Sequence, residues 1–117
     1  MAYQSFEDLE VWKRGCRQAV DVYRTMEGDR HFSLKDQMER SALSVPSNIA
    51  EGSERDSKGD FIRFLRIAKG SNGELRTQTY IASELGILDR DKARTMIAES
   101  KEISAMLQGL VRSLQKT

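Results

Sequence analysis

Apolar residues recur at helical spacing in four successive stretches of the chain, and this restricts the fold more than any other feature. In the first stretch, Leu9, Trp12, Cys16, Ala19, Tyr23 and Met26 follow intervals of 3, 4, 3, 4 and 3, which makes one continuous stripe on a helix. Leu34, Met38, Ala42, Val45 and Ile49 form the second stripe. Phe61, Phe64, Leu65, Ala68, Leu75, Ala82 and Leu85 form the third, interrupted only around Ser71-Asn72. The fourth runs Ala93, Met96, Ile97, Ser100, Ile103, Leu107, Leu110 and Leu114. Local start and stop signals bracket these stripes. Ser5-Phe6-Glu7-Asp8, Ser33-Leu34-Lys35-Asp36 and Ser57-Lys58-Gly59-Asp60 each set a serine three residues before an aspartate, a variant of the capping box, and Asp89 caps the fourth helix. Gly28-Asp29 closes the first helix and Gly52 with Ser53-Glu54-Arg55-Asp56 the second. Gly86 closes the third as a left-handed cap, followed by Ile87 and Leu88 for its hydrophobic contact. Four such helices joined by short connections bury their stripes together as an antiparallel up-down-up-down four-helix bundle, an all-α single domain over residues 1–117.

Composition narrows the function classes. With 19 Lys+Arg against 18 Asp+Glu, the net charge of +1 gives no overall pull toward nucleic acid, so such binding requires a local patch. A single cysteine cannot form an internal disulfide, and no signal peptide or long apolar run is present; the expected location is cytoplasmic, with no membrane contact. Cys16 on the first stripe reads as a small buried hydrophobe, and His31 as a solvated loop residue beside Arg30. One histidine and one cysteine fall short of a zinc or di-iron ligand set. Glu51 and Glu74 are a conceivable carboxylate pair, but neither lies in a motif that chemistry demands. The reading is therefore a non-enzymatic protein without metal or cofactor.

Two segments break the helical rules. Ser44-Val45-Pro46-Ser47-Asn48-Ile49-Ala50-Glu51-Gly52 carries the only proline of the chain inside a helical stripe. A proline there removes one hydrogen bond and crowds the carbonyl of Ala42, at about 3 kcal/mol. The stripe continues past it, so a long kinked helix is expected. The third helix holds Gly70 and Gly73, each costing about 1 kcal/mol relative to alanine. Stepping about 100° per residue places both away from the core face, beside Arg63, Arg66 and Thr77, where they suit close approach of a second subunit or a ligand. The same projection sets Ser41, Ser44, Asn48 and Glu51 against Ser71, Glu74 and Gln78, a candidate polar network fixing register between the second and third helices. Lys13, Arg14, Arg17 and Arg24 on the first helix, with Arg63, Arg66, Lys69 and Arg76 on the third, are the candidate phosphate contacts.

Several of these segments also resemble a known family. Phe6-Glu7-Asp8-Leu9-Glu10-Val11-Trp12, Gln37-Met38-Glu39-Arg40-Ser41-Ala42, the Pro46 segment and Phe64-Leu65-Arg66-Ile67-Ala68-Lys69-Gly70-Ser71-Asn72-Gly73-Glu74-Leu75 are similar to the bacterial four-helix-bundle family encoded in intervening sequences of large-subunit ribosomal RNA genes. Where that family usually has a hydrophobic residue after Gly-Ser, this chain has Asn72-Gly73. The resemblance implies a homo-oligomeric ring, a pentamer, with Pro46, Asn48, Glu51, Gly52, Gly70, Ser71 and Glu74 as its structural motif. The chain is also similar to the accessory variability determinant of diversity-generating retroelements, which implies a reverse-transcriptase or nucleic-acid partner. Together these readings make it an interaction or accessory module, alternatively an RNA- or DNA-binding accessory protein.

Overall fold

The computed structural model describes residues 5–117, which form four helices and no strand: α1 Glu10–Thr25, α2 Phe32–Ser53, α3 Lys58–Glu84 and α4 Arg90–Gln115. Successive helices run antiparallel. Gly52 of α2 lies against Phe64 of α3, while Ser44 bonds Ser71, so position falls along one helix as it rises along the other. The same reversal relates α3 to α4 through Lys69–Gln108 and Asn72–Ser100, and α1 to α4 through Arg14–Glu99 and Asp21–Lys92. Each helix packs on its two sequential neighbours around the bundle, which leaves α1 diagonal to α3 and α2 diagonal to α4. The whole measures 46 × 20 × 19 Å.

Helix ends follow the serine and aspartate signals with two corrections. At the N-terminus the capping box forms, with Ser5 Oγ accepting from the Glu7 amide at 3.0 Å and Asp8 Oδ2 accepting from the Ser5 amide at 3.3 Å. It caps only a 3-10 turn, Phe6–Asp8; the extended backbone of Leu9 interrupts it, so α1 starts at Glu10. The second helix begins at Phe32, ahead of the expected Ser33 cap, because Asp29 takes the local donors: its Oδ1 accepts from the His31 amide at 2.7 Å. Ser57 accepts from the Asp60 amide and Asp89 from the amides of Asp91 and Lys92, as expected of caps. Gly86, at φ 75°, ends α3 with the Ile87 amide reaching back to the Ala82 carbonyl at 2.9 Å, and Leu88 tucks in behind it.

The core has two apolar halves. One gathers Val11, Val45, Ile49, Phe61, Leu65, Ile103, Leu107 and Val111; the other gathers Val22, Met26, Met38, Leu75, Ala82, Leu88 and Met96. Burial of each large side chain contributes about 1.5–3 kcal/mol. On α1 the buried face is Val11, Gly15, Gln18, Ala19 and Val22, followed by Met26; Ala19 and Met26 lie on it as expected, while elsewhere the face is turned by about one residue from the expected stripe. Cys16 is accordingly half-buried at the edge of the core, and Tyr23 is exposed. Val111 joins the buried face of α4, and Leu85 leaves that of α3.

The two rule-breaking residues of α2 both serve close packing. Pro46 lies inside an uninterrupted helix and is buried, its ring facing Gly15 of α1, where an added Cβ would meet the ring at 3.5 Å. Gly52 is buried within α2, and a Cβ there would fall 2.6 Å from Phe64 Cβ and 3.2 Å from the Phe61 carbonyl oxygen. The backbones of α2 and α3 approach too closely at that point for any side chain. Gly52 is thus a packing glycine one residue before the end of α2 rather than its terminator.

Candidate functional site: a buried polar layer and a basic groove

Between the apolar halves lies a layer of buried polar groups centred on Asn72, which is 0% exposed. Its Oδ1 accepts from Gln18 Nε2 of α1 at 3.3 Å and from Ser100 Oγ of α4 at 3.1 Å, and its Nδ2 donates to the Ser100 carbonyl at 2.7 Å. Arg76 adds its Nε to Ser100 Oγ at 3.0 Å. Gln18 therefore reaches across the diagonal of the bundle, and three helices share one amide. Pairing of this kind offsets the cost of burying an amide. The break in the third apolar stripe at Ser71-Asn72 was its one signal in the sequence.

A second polar set joins α2 to α3 and realises part of the expected network. Ser44 Oγ and Ser71 Oγ lie 2.8 Å apart, and Asn48 Nδ2 donates to both Ser44 Oγ and the Ser44 carbonyl at 2.8 Å. Ser41 is buried nearby in α2. Glu51 and Glu74 take no part: Glu51 pairs with Arg55 at 3.2 Å, and Glu74 is exposed. Gln78 Oε1 is buried without a partner. Glu51 also lies beside the Gly52–Phe64 contact, ten residues along α3 from Glu74, so about 15 Å separates their levels and no carboxylate pair forms.

The eight cations proposed as phosphate contacts do not share a surface, because α1 and α3 occupy diagonal corners. Arg14 is half-buried and bridges to α4, with Nε 3.0 Å from Glu99 Oε2 and Nη2 3.3 Å from Glu102 Oε1. The hydrogen bond to Glu99, aided by both carboxylate charges, raises its pKa further above the ordinary guanidinium value. Lys13, Arg17 and Arg24 remain on the outer face of α1. Arg63 and Arg55 lie over the ring of Phe64 at 4.5 and 4.9 Å, Arg66 is exposed, and Lys69 and Arg76 bond α4 through Gln108 and Ser100. Gly70 and Gly73 face open space, with nothing within 4 Å of an added Cβ.

Two recesses flank α4. Between α1 and α4 a cleft of about 290 Å³ is lined by Gln18, Val22, Leu75, Thr79 and Met96, with the Asp21–Lys92 pair at its rim, Nζ to Oδ1 at 2.8 Å. Between α3 and α4 an open groove of about 430 Å³ is lined by Tyr80, Glu84, Arg90, Arg94, Ile97 and Lys101. The second lies in the more basic half of the molecule. Residues 61–117 hold ten Lys/Arg and six Asp/Glu, against nine and twelve in residues 1–60, so the halves carry +4 and −3 within the total of +1.

Neither recess holds a nucleophile beside a base. Cys16 lies outside both, and burial pushes its thiol pKa up, which disfavours thiolate. His31 is exposed in the α1/α2 connection, outside both recesses, bonded through Nδ1 to Asp29 at 2.9 Å. Among the described residues no group of three or more His, Cys, Asp or Glu is placed to hold a metal ion, and no helix is long and apolar enough to cross a membrane.

Across residues 7–109 the sequence matches the 23S rRNA-intervening sequence protein family. The chain belongs to that family. A crystal structure of a protein of unknown function from the S23 ribosomal protein family of Bacteroides thetaiotaomicron superposes with a TM-score of 0.81 at 24% identity, covering 86% of this chain and 97% of that one. No curated protein matches the sequence. The intervening-sequence family thus supplies the fold and no assigned chemistry. Within this member the position after Gly-Ser is the buried Asn72, which Gln18 and Ser100 accommodate.

Proposed function

We propose that this intervening-sequence family protein is a non-catalytic, self-assembling bundle in the cytoplasm that serves as an interaction module. The observation that supports this most is the distribution of exposed apolar side chains. Val20 and Tyr23 are 48% and 41% exposed on the outer face of α1, with half-buried Cys16 one turn away. Leu43, 46% exposed, lies one turn from Pro46, the residue that packs on Gly15, and so belongs to the same α1/α2 side. Ile67, Ile81 and Leu85 form a second exposed set on α3, at the diagonal corner. A single apolar patch suits a two-fold dimer, whereas two unlike patches on separate faces suit head-to-tail contacts that close into a ring. The family resemblance favours five copies.

Light scattering coupled to size exclusion tests the reading. A ring mass is expected at micromolar concentration, with Val20→Glu and Leu43→Glu reducing it to the protomer. A wild-type protomer at that concentration overturns the proposal.

A further inference from the structure

We infer that the α3/α4 groove is a docking surface for single-stranded nucleic acid, with Tyr80 as a stacking platform and Arg90, Arg94 and Lys101 as phosphate contacts. The groove lies on a different side of the bundle from the α1/α2 apolar face and takes none of its lining from the second apolar set, Ile67, Ile81 and Leu85, although Tyr80 adjoins Ile81 on α3.

Three observations converge on it. First, the charge of this surface differs from that of the whole chain. Arg90, Arg94 and Lys101 line the groove with one acid, Glu84, among its walls. Helical periodicity extends the row: Arg112 lies one turn beyond Gln108, the residue that Lys69 bonds across the α3/α4 seam, and Arg66 lies one turn before Lys69. Arg66, Arg90, Lys101 and Arg112 are all exposed, and only Arg94 among these five is held, by Asp91 on its own helix at 3.0 Å. The acids of α4 that follow its first turn, Glu99 and Glu102, turn the other way and are held by Arg14 of α1.

Second, Tyr80 stands in the same recess, 53% exposed, with the half-buried Ile97 across from it. An aromatic face beside arginines is the arrangement by which sequence-tolerant single-strand binders stack bases while cations follow the phosphates. Third, the tyrosine and the cations line a recess. An anionic membrane is met by a protruding apolar ridge flanked by cations, and a duplex by an element that enters its groove; a recess with an aromatic wall fits an unstacked base.

The test is fluorescence anisotropy with a labelled oligouridine of about 15 nucleotides, matched to the span of a small site, and vesicles containing phosphatidylglycerol as the alternative probe. Binding should weaken with salt, with a log–log slope of roughly −2 to −3 for three or four phosphate contacts. The triple variant Arg90→Glu, Arg94→Glu, Lys101→Glu should lose at least about tenfold in affinity and flatten that slope. Tyr80→Ala should lose about tenfold while Tyr80→Phe retains binding, and Glu84→Gln should tighten it. An equal charge reversal at Arg30, Lys35 and Arg40, on the α2 side, should change affinity less than about twofold at physiological salt. The inference is overturned if the groove triple binds as the wild type does, if the α2-side reversal costs as much, if Tyr80→Phe falls with Tyr80→Ala, or if the protein binds the vesicles and not the oligonucleotide. Should the triple variant lose its helical circular dichroism, Lys101→Glu and Tyr80→Ala carry the same test singly.

Discussion

Gly52→Ala is the sharpest probe of how this bundle is packed, because two opposing effects are separable in magnitude. Alanine gains up to about 1 kcal/mol over glycine in a helix interior, and less so near an end. Against that, the new Cβ would fall 2.6 Å from Phe64 Cβ and 3.1 Å from Phe61 Cδ1. Carbon atoms rest at about 3.5–4.0 Å, so the overlap with Phe64 approaches 1 Å. Phe64 Cβ is fixed to the α3 backbone and cannot rotate away, and the Phe61 carbonyl oxygen, 3.2 Å from the new Cβ, is backbone as well. The two helices must therefore separate, at the roughly 1–3 kcal/mol typical of overpacking, and the net loss should be about 1–2 kcal/mol. For a chain of this length the unfolding entropy is roughly 0.25 kcal/mol/K, so the melting temperature should fall by about 4–8 °C. Gly70→Ala, which meets nothing within 4 Å, calibrates the propensity part; in an isolated protomer it should raise the melting temperature by about 4 °C. Both are read by thermal circular dichroism at low protein concentration. A Gly52→Ala protein as stable as the wild type would refute the close approach of α2 and α3.

Two further outcomes follow from the polar contacts. Asn72→Leu should destabilise by about 1–3 kcal/mol, because Gln18 and Ser100 lose their partner, whereas Asn72→Leu with Gln18→Leu should recover part of that loss; urea unfolding of all four members of the cycle measures the coupling. The Asp29 carboxyl is held below the ordinary carboxylate range, first by the His31 amide and then by its ring. A lowered pKa contributes stability that is present above the ordinary value, about 3.9, and disappears as pH falls through the folded one. The difference in melting temperature between wild type and Asp29→Asn should therefore shrink as the pH drops below about 4.

Four helices and most of their ends were legible because stripes, caps and the Gly86 stop act over a few residues. Phase was less legible. On α1 the residues Val20 and Tyr23 are apolar but exposed, so they compete with Val11, Gln18 and Val22 for the apparent core face, and the true face contains an amide. Asn72 shows the same limit more strongly. Its burial depends on Gln18 and Ser100, which are 54 and 28 positions away, and the break in the third stripe marks the place without naming those partners. Which basic faces adjoin was hidden from the sequence for the same reason. Helical projection shows which side of one helix a cation occupies, but only packing shows that α1 and α3 are diagonal and that α4 supplies the adjoining wall.

The buried layer also explains how a bundle with such simple stripes adopts one register. Each apolar half offers side chains of similar size at similar spacing, so a slip of one helical turn, about 5.4 Å, would cost little in hydrophobic burial alone. Asn72 removes that freedom. Only one alignment of α3 with α1 and α4 brings its amide to Gln18 and Ser100 together. Any slip leaves several buried donors and acceptors unpaired, at about 1–3 kcal/mol each, which is a sizeable part of the stability of a domain this small. Polar groups at helix-facing positions fix register in this manner at some cost in stability. The consequence extends to the surface: the alignment of α3 with α4 that Asn72 enforces also sets Tyr80 of α3 opposite Arg90, Arg94 and Ile97 of α4. Loosening the layer should therefore disorder the groove before it unfolds the bundle, and Asn72→Leu should weaken oligonucleotide binding under conditions where its helical signal is still intact.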